Sequence, residues 1–101
     1  MFWGKLFPTK YDLVVAICDE DLIEKEIEMK NHKIKVSKSF YGGELIDEDL
    51  AVKAMKRATI GNLIGKKIVS LAEKNHFITK ENIISISGTP HAQFVKLQEI
   101  R

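Results

Sequence analysis

The run Leu13-Val14-Val15-Ala16-Ile17-Cys18 constrains this chain more than any other segment. It is unbroken, apolar and rich in β-branched residues, the pattern of a strand buried on both faces. It falls far short of the ~20 residues that span a bilayer. Phe2–Phe7 reads as a second strand. Pro8-Thr9-Lys10-Tyr11 is turn-forming and joins it to Asp12–Cys18 as a hairpin. The N-terminal stretch is apolar but broken by Lys5 and stopped by Pro8, with no small-residue cleavage site, so it does not read as a secretory signal.

Cys18 is the only cysteine, which excludes an intrachain disulfide and gives no reason to invoke an oxidising compartment. Cytoplasm is the default expectation. At the end of a buried run, with no cation close in sequence to lower its pKa, Cys18 is expected to be a packed thiol and not a nucleophile. With 101 residues, 45% hydrophobic and 30% charged, the chain has material for one core. No linker, internal repeat or low-complexity tract divides it, so residues 1–101 are expected to form a single domain.

Helical signals occupy the middle. Asp19–Ile23 reads as a helical turn capped by Asp19, with two short strands after it, Glu26–Met29 and Lys33–Val36, around an Asn31-His32 turn that leaves His32 solvated. Asp47 is a good N-cap, with Glu48 and Asp49 in the first turn. Leu50, Ala51, Ala54, Met55 and Ala58 then form one stripe at helical spacing, and Ile60, Leu63, Ile64, Ile68, Leu71 and Ala72 form another. The stripes are out of phase by roughly a quarter turn, and a straight helix over 47–74 would be about 42 Å long in a domain of radius near 13 Å. A kink or break is therefore expected between Ala58 and Gly61. The helix should end near Asn75 in the left-handed cap position, with Phe77 folded back on the last turn and His76 acting as a capping histidine. Two further strands, Ile83–Ser87 and Ala92–Leu97, joined by Gly88-Thr89-Pro90-His91, close the chain. Strands at both ends with helices between predict an α+β fold: a small mixed or antiparallel sheet packed against a kinked or paired central helical segment.

Three places break local rules, and sites tend to lie at such places. The first is Phe40-Tyr41-Gly42-Gly43-Glu44, where paired glycines suit a positive φ, a close approach or a tight lead into the helix at Asp47. It has no phosphate-loop pattern. The second is Thr59, Gly61, Asn62 and Gly65: two glycines and one amide where the helical reading puts a bare patch. Either another segment packs closely there, with Asn62 bonding to it, or the patch floors a ligand groove. The third is Gly88-Thr89-Pro90-His91, which holds the best acid–base candidate of the chain, His91. No triad and no metal-ligand spacing accompanies it, so no catalytic residue beyond that weak candidate is assigned, and neither a metal nor a cofactor is expected.

Charge is uneven. Residues 1–50 carry seven lysines and eleven acids, residues 51–101 nine Lys/Arg and three acids. Lys53, Lys56, Arg57, Lys66, Lys67 and Lys74 against Glu73 give residues 53–74 a balance of +5, although without the interleaved aromatics of single-strand binders. Three functions stay open: a non-catalytic module for RNA or a ribonucleoprotein; an enzyme or small-ligand binder whose pocket gathers Tyr41, Glu44, Asn62 and His91; and a structural protein-interaction domain.

The runs Phe40-Tyr41-Gly42-Gly43-Glu44-Leu45, Ala58-Thr59-Ile60 with Asn62-Leu63 and Gly65, Pro90-His91-Ala92-Gln93 and Ala16-Ile17-Cys18-Asp19-Glu20 together resemble the small archaeal proteins of the domain of unknown function 424 family. The resemblance spans nearly the whole chain. It implies an archaeal cytoplasmic protein and brings no established activity. One position departs from it: Glu24 stands where the resemblance leads to expect a glycine.

Overall fold

In the computed structural model, which describes residues 1–97, the apolar run becomes β2 (Leu13–Asp19), an inner strand of a six-stranded sheet. Its hairpin partner β1 (Phe2–Pro8) is antiparallel, with Phe2 opposite Asp19 and Pro8 opposite Leu13. On the other edge β2 pairs in parallel with β6 (Ile60–Ile64), Val14 opposite Ile60 and Cys18 opposite Ile64. Two short strands, β3 (Glu26–Met29) and β4 (His32–Lys35), form a separate hairpin. With β5 (Glu44–Ile46), β7 (Ile83–Ile86) and β8 (Thr89–Val95), the large sheet has the order β5-β1-β2-β6-β8-β7. One parallel pair among antiparallel ones makes it the mixed sheet of an α+β fold.

Successive strand residues face opposite sides, and the two sides are covered unequally. Val15, Ile17, Leu63, Ala92 and Phe94 meet two helices, α2 (Glu48–Arg57) and α3 (Lys66–Lys74), through Ala51, Met55, Ile68, Val69 and Ala72. Ala16, Cys18 and Ile64 point the other way, towards Ile27, Val36 and Tyr41, carried by the β3–β4 hairpin and the one-turn helix α1 (Lys38–Tyr41). These covering pieces are small. Part of the second side stays open, with Ile84 55% and Val95 67% exposed. Among the described residues no helix is long and apolar enough to cross a membrane.

The helical reading of residues 47–74 holds at both ends and fails in the middle. Asp47 caps α2 by accepting from the Leu50 N–H at 2.9 Å, and α2 stops at Arg57. The chain does break between Ala58 and Gly61, but it continues as the strand β6, not as more helix. The helical spacing of Ile60, Leu63 and Ile64 yields to tertiary context: an inner strand pairs its backbone on both edges, here with β2 and β8.

Other boundaries move for local reasons. Helix α3 ends with Phe77 N–H on the Ala72 carbonyl (2.9 Å) and His76 N–H on that of Glu73 (3.0 Å), a Schellman motif. The left-handed residue is His76 (φ 65), and Asn75 (φ −94) instead donates its amide to the Leu71 carbonyl at 2.9 Å. The final turn is Ser87-Gly88 alone, with φ of 49 and 85, the two positive values that match hairpin twist. Thr89, Pro90 and His91 therefore lie in β8 and not in a loop. In the small hairpin the turn is Lys30-Asn31, and His32 opens β4, exposed as expected. Glu24 holds φ 65, the left-handed conformation that glycine adopts without steric cost.

Candidate functional site

Asn62 sits in β6 between Gly61 and Leu63 and so faces away from α2 and α3. In the β6–β8 register Gln93 lies opposite Asn62 and His91 opposite Ile64, which sets His91 diagonal to Asn62 on the same side. Tyr41, at the end of α1, reaches down to the same point. Its hydroxyl donates to Asn62 Oδ1 at 3.0 Å, and His91 Nε2 lies 2.9 Å from that oxygen. An amide oxygen has no proton to give, so Nε2 carries it and the lone pair is left on Nδ1. No buried side-chain nitrogen or oxygen of the described residues lacks a partner. Asn62 Nδ2 and His91 Nδ1, which bond to nothing within the described chain, therefore reach solvent, one as a donor and the other as an acceptor.

Burial sets the protonation states. It lowers the His91 pKa from its usual value, so the ring is neutral at pH 7. It also pushes the Tyr41 phenol up to about 12, with Cys18 nearby adding to the effect.

Next to this trio runs a line of rings and cations. Phe40 meets Tyr41 edge-on at 4.9 Å and stacks on Phe7 at 5.3 Å with 20° between planes. Lys5 Nζ lies 5.2 Å from the Phe7 ring centre and donates to the Ser39 carbonyl at 2.9 Å. At the β1–β2 turn, Lys10 Nζ lies 5.3 Å from the ring of Tyr11, which is 74% exposed. Sequence reasoning missed Lys5, Phe7, Lys10 and Tyr11. A signal is present in the alternation of lysine with aromatics over residues 5–11 and 38–41. It goes unread because the charge imbalance draws attention to 53–74.

The remaining expected residues scatter. Gly43 packs against β1 so closely that a Cβ would fall 2.5 Å from the Gly4 carbonyl, and a Cβ on Gly42 would fall 2.6 Å from the Lys38 side chain. Glu44 sits next in β5, opposite Gly4, and does not join Tyr41. Thr59 is a clamp at the far end of β6: its hydroxyl accepts from the Leu13 N–H at 3.0 Å and donates to Asp12 Oδ1 at 2.9 Å. Pro90 gives its carbonyl to the Gly65 N–H at 2.9 Å. The vacancies at the two glycines are filled from within. A Cβ on Gly61 would collide with the Phe94 ring, and one on Gly65 with the Asp19 carboxylate. The glycines thus admit close packing by side chains of the same chain and are not the floor of a ligand groove. Lys53, Lys56 and Arg57 stand on α2 and Lys66 and Lys67 on α3, across the sheet from the Tyr41–Asn62–His91 trio.

His91 touches an amide and no carboxylate, so nothing in its hydrogen bonding stabilises an imidazolium. Cys18 is fully buried, and burial, then the charge of Asp19, pushes its thiol up to about 12. Among the described residues no three His, Cys, Asp or Glu side chains are grouped to hold a metal ion.

The fold has a counterpart among solved structures. An uncharacterized conserved protein from Methanopyrus kandleri superposes with a TM-score of 0.82 at 23% identity, over 99% of this chain and 96% of that one. A comparison with curated proteins gives no match. A family model described as "Protein of unknown function (DUF424)" matches residues 8–97.

Proposed function

The chain belongs to that family of unknown function, and because membership brings no activity with it, we propose from the geometry alone that the protein is a non-catalytic module that binds single-stranded RNA on the open side of its sheet. The observation that carries the reading is the grouping of rings with lysines: the exposed Tyr11 with Lys10, and the partly buried Phe7 and Phe40 with Lys5, leading to the Tyr41–Asn62–His91 trio. Single-strand binders combine faces on which bases stack with cations that track the backbone. The free amide donor of Asn62 and the free imidazole acceptor of His91 add polar groups that a base can meet. The cations of α2 and α3 play no part in this surface.

A labelled single-stranded RNA octamer, monitored by fluorescence anisotropy with amide shifts to map contacts, tests it. Binding is expected at about 50 mM salt and should weaken about twentyfold by 200 mM, if roughly three phosphates are met by Lys5, Lys10 and Lys38. Tyr11→Ala should weaken it about 5- to 160-fold, the worth of one stacked base. No binding at low salt, equal binding of a duplex, or shifts confined to α2 and α3 would each overturn the reading.

A further inference from the structure

On the helix-covered side, between α2 and the middle of β1 with its neighbour β5, a cleft of ≈ 560 Å³ opens. That volume lies within the ~300–1,000 Å³ of ordinary small-molecule sites. Its lining is largely apolar: Gly4, Leu6, Val15 and Ile46 from the sheet, and Ala54 with the half-exposed Leu50 from α2. The mouth is charged. Lys53 and Arg57, one helical turn apart, stand on one side, and Glu44 of β5 lines the same opening. Among the described residues the ion pairs are Lys33–Glu26 and Lys35–Glu24, so none of these three mouth groups has an ionic partner. Lys5 also lines the cleft, but its ammonium points to the other side of the sheet, towards the Ser39 carbonyl and the Phe7 ring.

Two cations and one carboxylate leave the mouth with one net positive charge above an apolar pit. We infer that this cleft binds a small apolar monocarboxylate, its chain among Val15, Ile46, Leu50 and Ala54 and its head between Lys53 and Arg57. A guanidinium matches a carboxylate with two parallel N–H donors, and the neighbouring ammonium adds a point charge. Glu44 balances one of the cations and so disfavours a dianion or a polyphosphate. The cleft and the RNA surface lie on opposite sides of the sheet, so each stands or falls without the other.

The probes are octanoate, octan-1-ol and octylammonium, which share a chain and differ in head-group charge. Titration of the intact protein, monitored by methyl shifts of Val15, Ile46 and Ala54, should show octanoate binding at least tenfold tighter than octan-1-ol, and octylammonium weakest. The double substitution Lys53→Gln with Arg57→Gln, on an exposed helix surface where folding is retained, should bring octanoate down to the octan-1-ol level. Ala54→Leu, which fills the pit and leaves the mouth charged, should abolish binding of all three. Equal binding of octanoate and octan-1-ol overturns the inference, as does octanoate binding that survives the double substitution or shifts that map elsewhere. Absence of octanoate binding to the wild-type protein overturns it outright.

Discussion

The carboxylate of Asp19 occupies the space that a side chain on Gly65 would need. From the end of β2 it accepts the N–H groups of Lys67 and Ile68, at 2.9 and 2.8 Å, in the first turn of α3. A buried acid thereby meets two of the orphan donors that every helix presents at its start. Gly65 makes this fit with φ +124 and no Cβ. Replacing it by alanine combines left-handed strain, ~1–3 kcal/mol, with a displaced cap worth a further ~1 kcal/mol. Urea unfolding of Gly65→Ala is expected to show a loss of about 2–4 kcal/mol. A loss under about 0.5 kcal/mol, the range of a neutral surface change, would mean that the helix start does not depend on Asp19.

Gly61 and Phe94 form a comparable pair inside the main core, since the ring lies over the glycine across the β6–β8 ladder. Gly61→Ala must push the ring out of place, an overpacking cost of ~1–3 kcal/mol. Phe94→Ala removes the obstacle at its own cavity cost of ~3–5 kcal/mol. The two are expected to be non-additive, the double variant losing at least about 1 kcal/mol less than the sum of the singles. Strict additivity in a double-mutant cycle would show that the ring and the glycine are not coupled.

The same two glycines explain why part of the fold is legible in the sequence and part is not. The β1–β2 hairpin, the cap at Asp47, the break after Ala58 and the packed thiol of Cys18 come from local signals, and those signals agree with the tertiary structure. Residues 60–64 do not, because Ile60, Leu63 and Ile64 fit helical spacing as well as a strand. The pairing of β6 with β2, forty-odd residues earlier in the chain, decides between them. Asp19 misleads in the same way. It looks like the cap of its own turn, yet its carboxylate serves a helix brought alongside only by the sheet. Of the site, Tyr41, Asn62 and His91 stand out in the sequence as residues that break local rules, and the register places them within hydrogen-bond reach. Glu44 joins them only through its nearness to Tyr41 in sequence. A strand's alternation sends it to the other side.

Cys18 should be inert to thiol reagents at pH 8 while the protein is folded, since only the thiolate reacts and burial holds the thiol up to about 12. Modification by a chromogenic disulfide is expected to appear only as urea unfolds the chain. Rapid labelling of the native state would show that the second side of the sheet opens more readily than its packing implies.

Protonation of His91 gives the trio a readable signature. Burial lowers the folded-state pKa below the unfolded one, so between those two values the unfolded chain binds more protons. The stability contribution of the neutral ring is therefore present above the unfolded pKa, near pH 6.5, and is lost as the pH falls towards the folded value. Melting temperature should accordingly decline as the pH falls below about 6.5 in the wild-type protein. His91→Gln keeps a donor for Asn62 Oδ1 but cannot titrate, so the part of the decline belonging to His91 should vanish while the fold is retained. The unsubstituted Tyr41 hydroxyl would still bond to Asn62 at neutral pH, which separates loss of titration from loss of the whole network. An unchanged acid limb in His91→Gln would mean that the ring is as well solvated when folded as when unfolded, and that the trio is not the partly desolvated cluster its geometry describes.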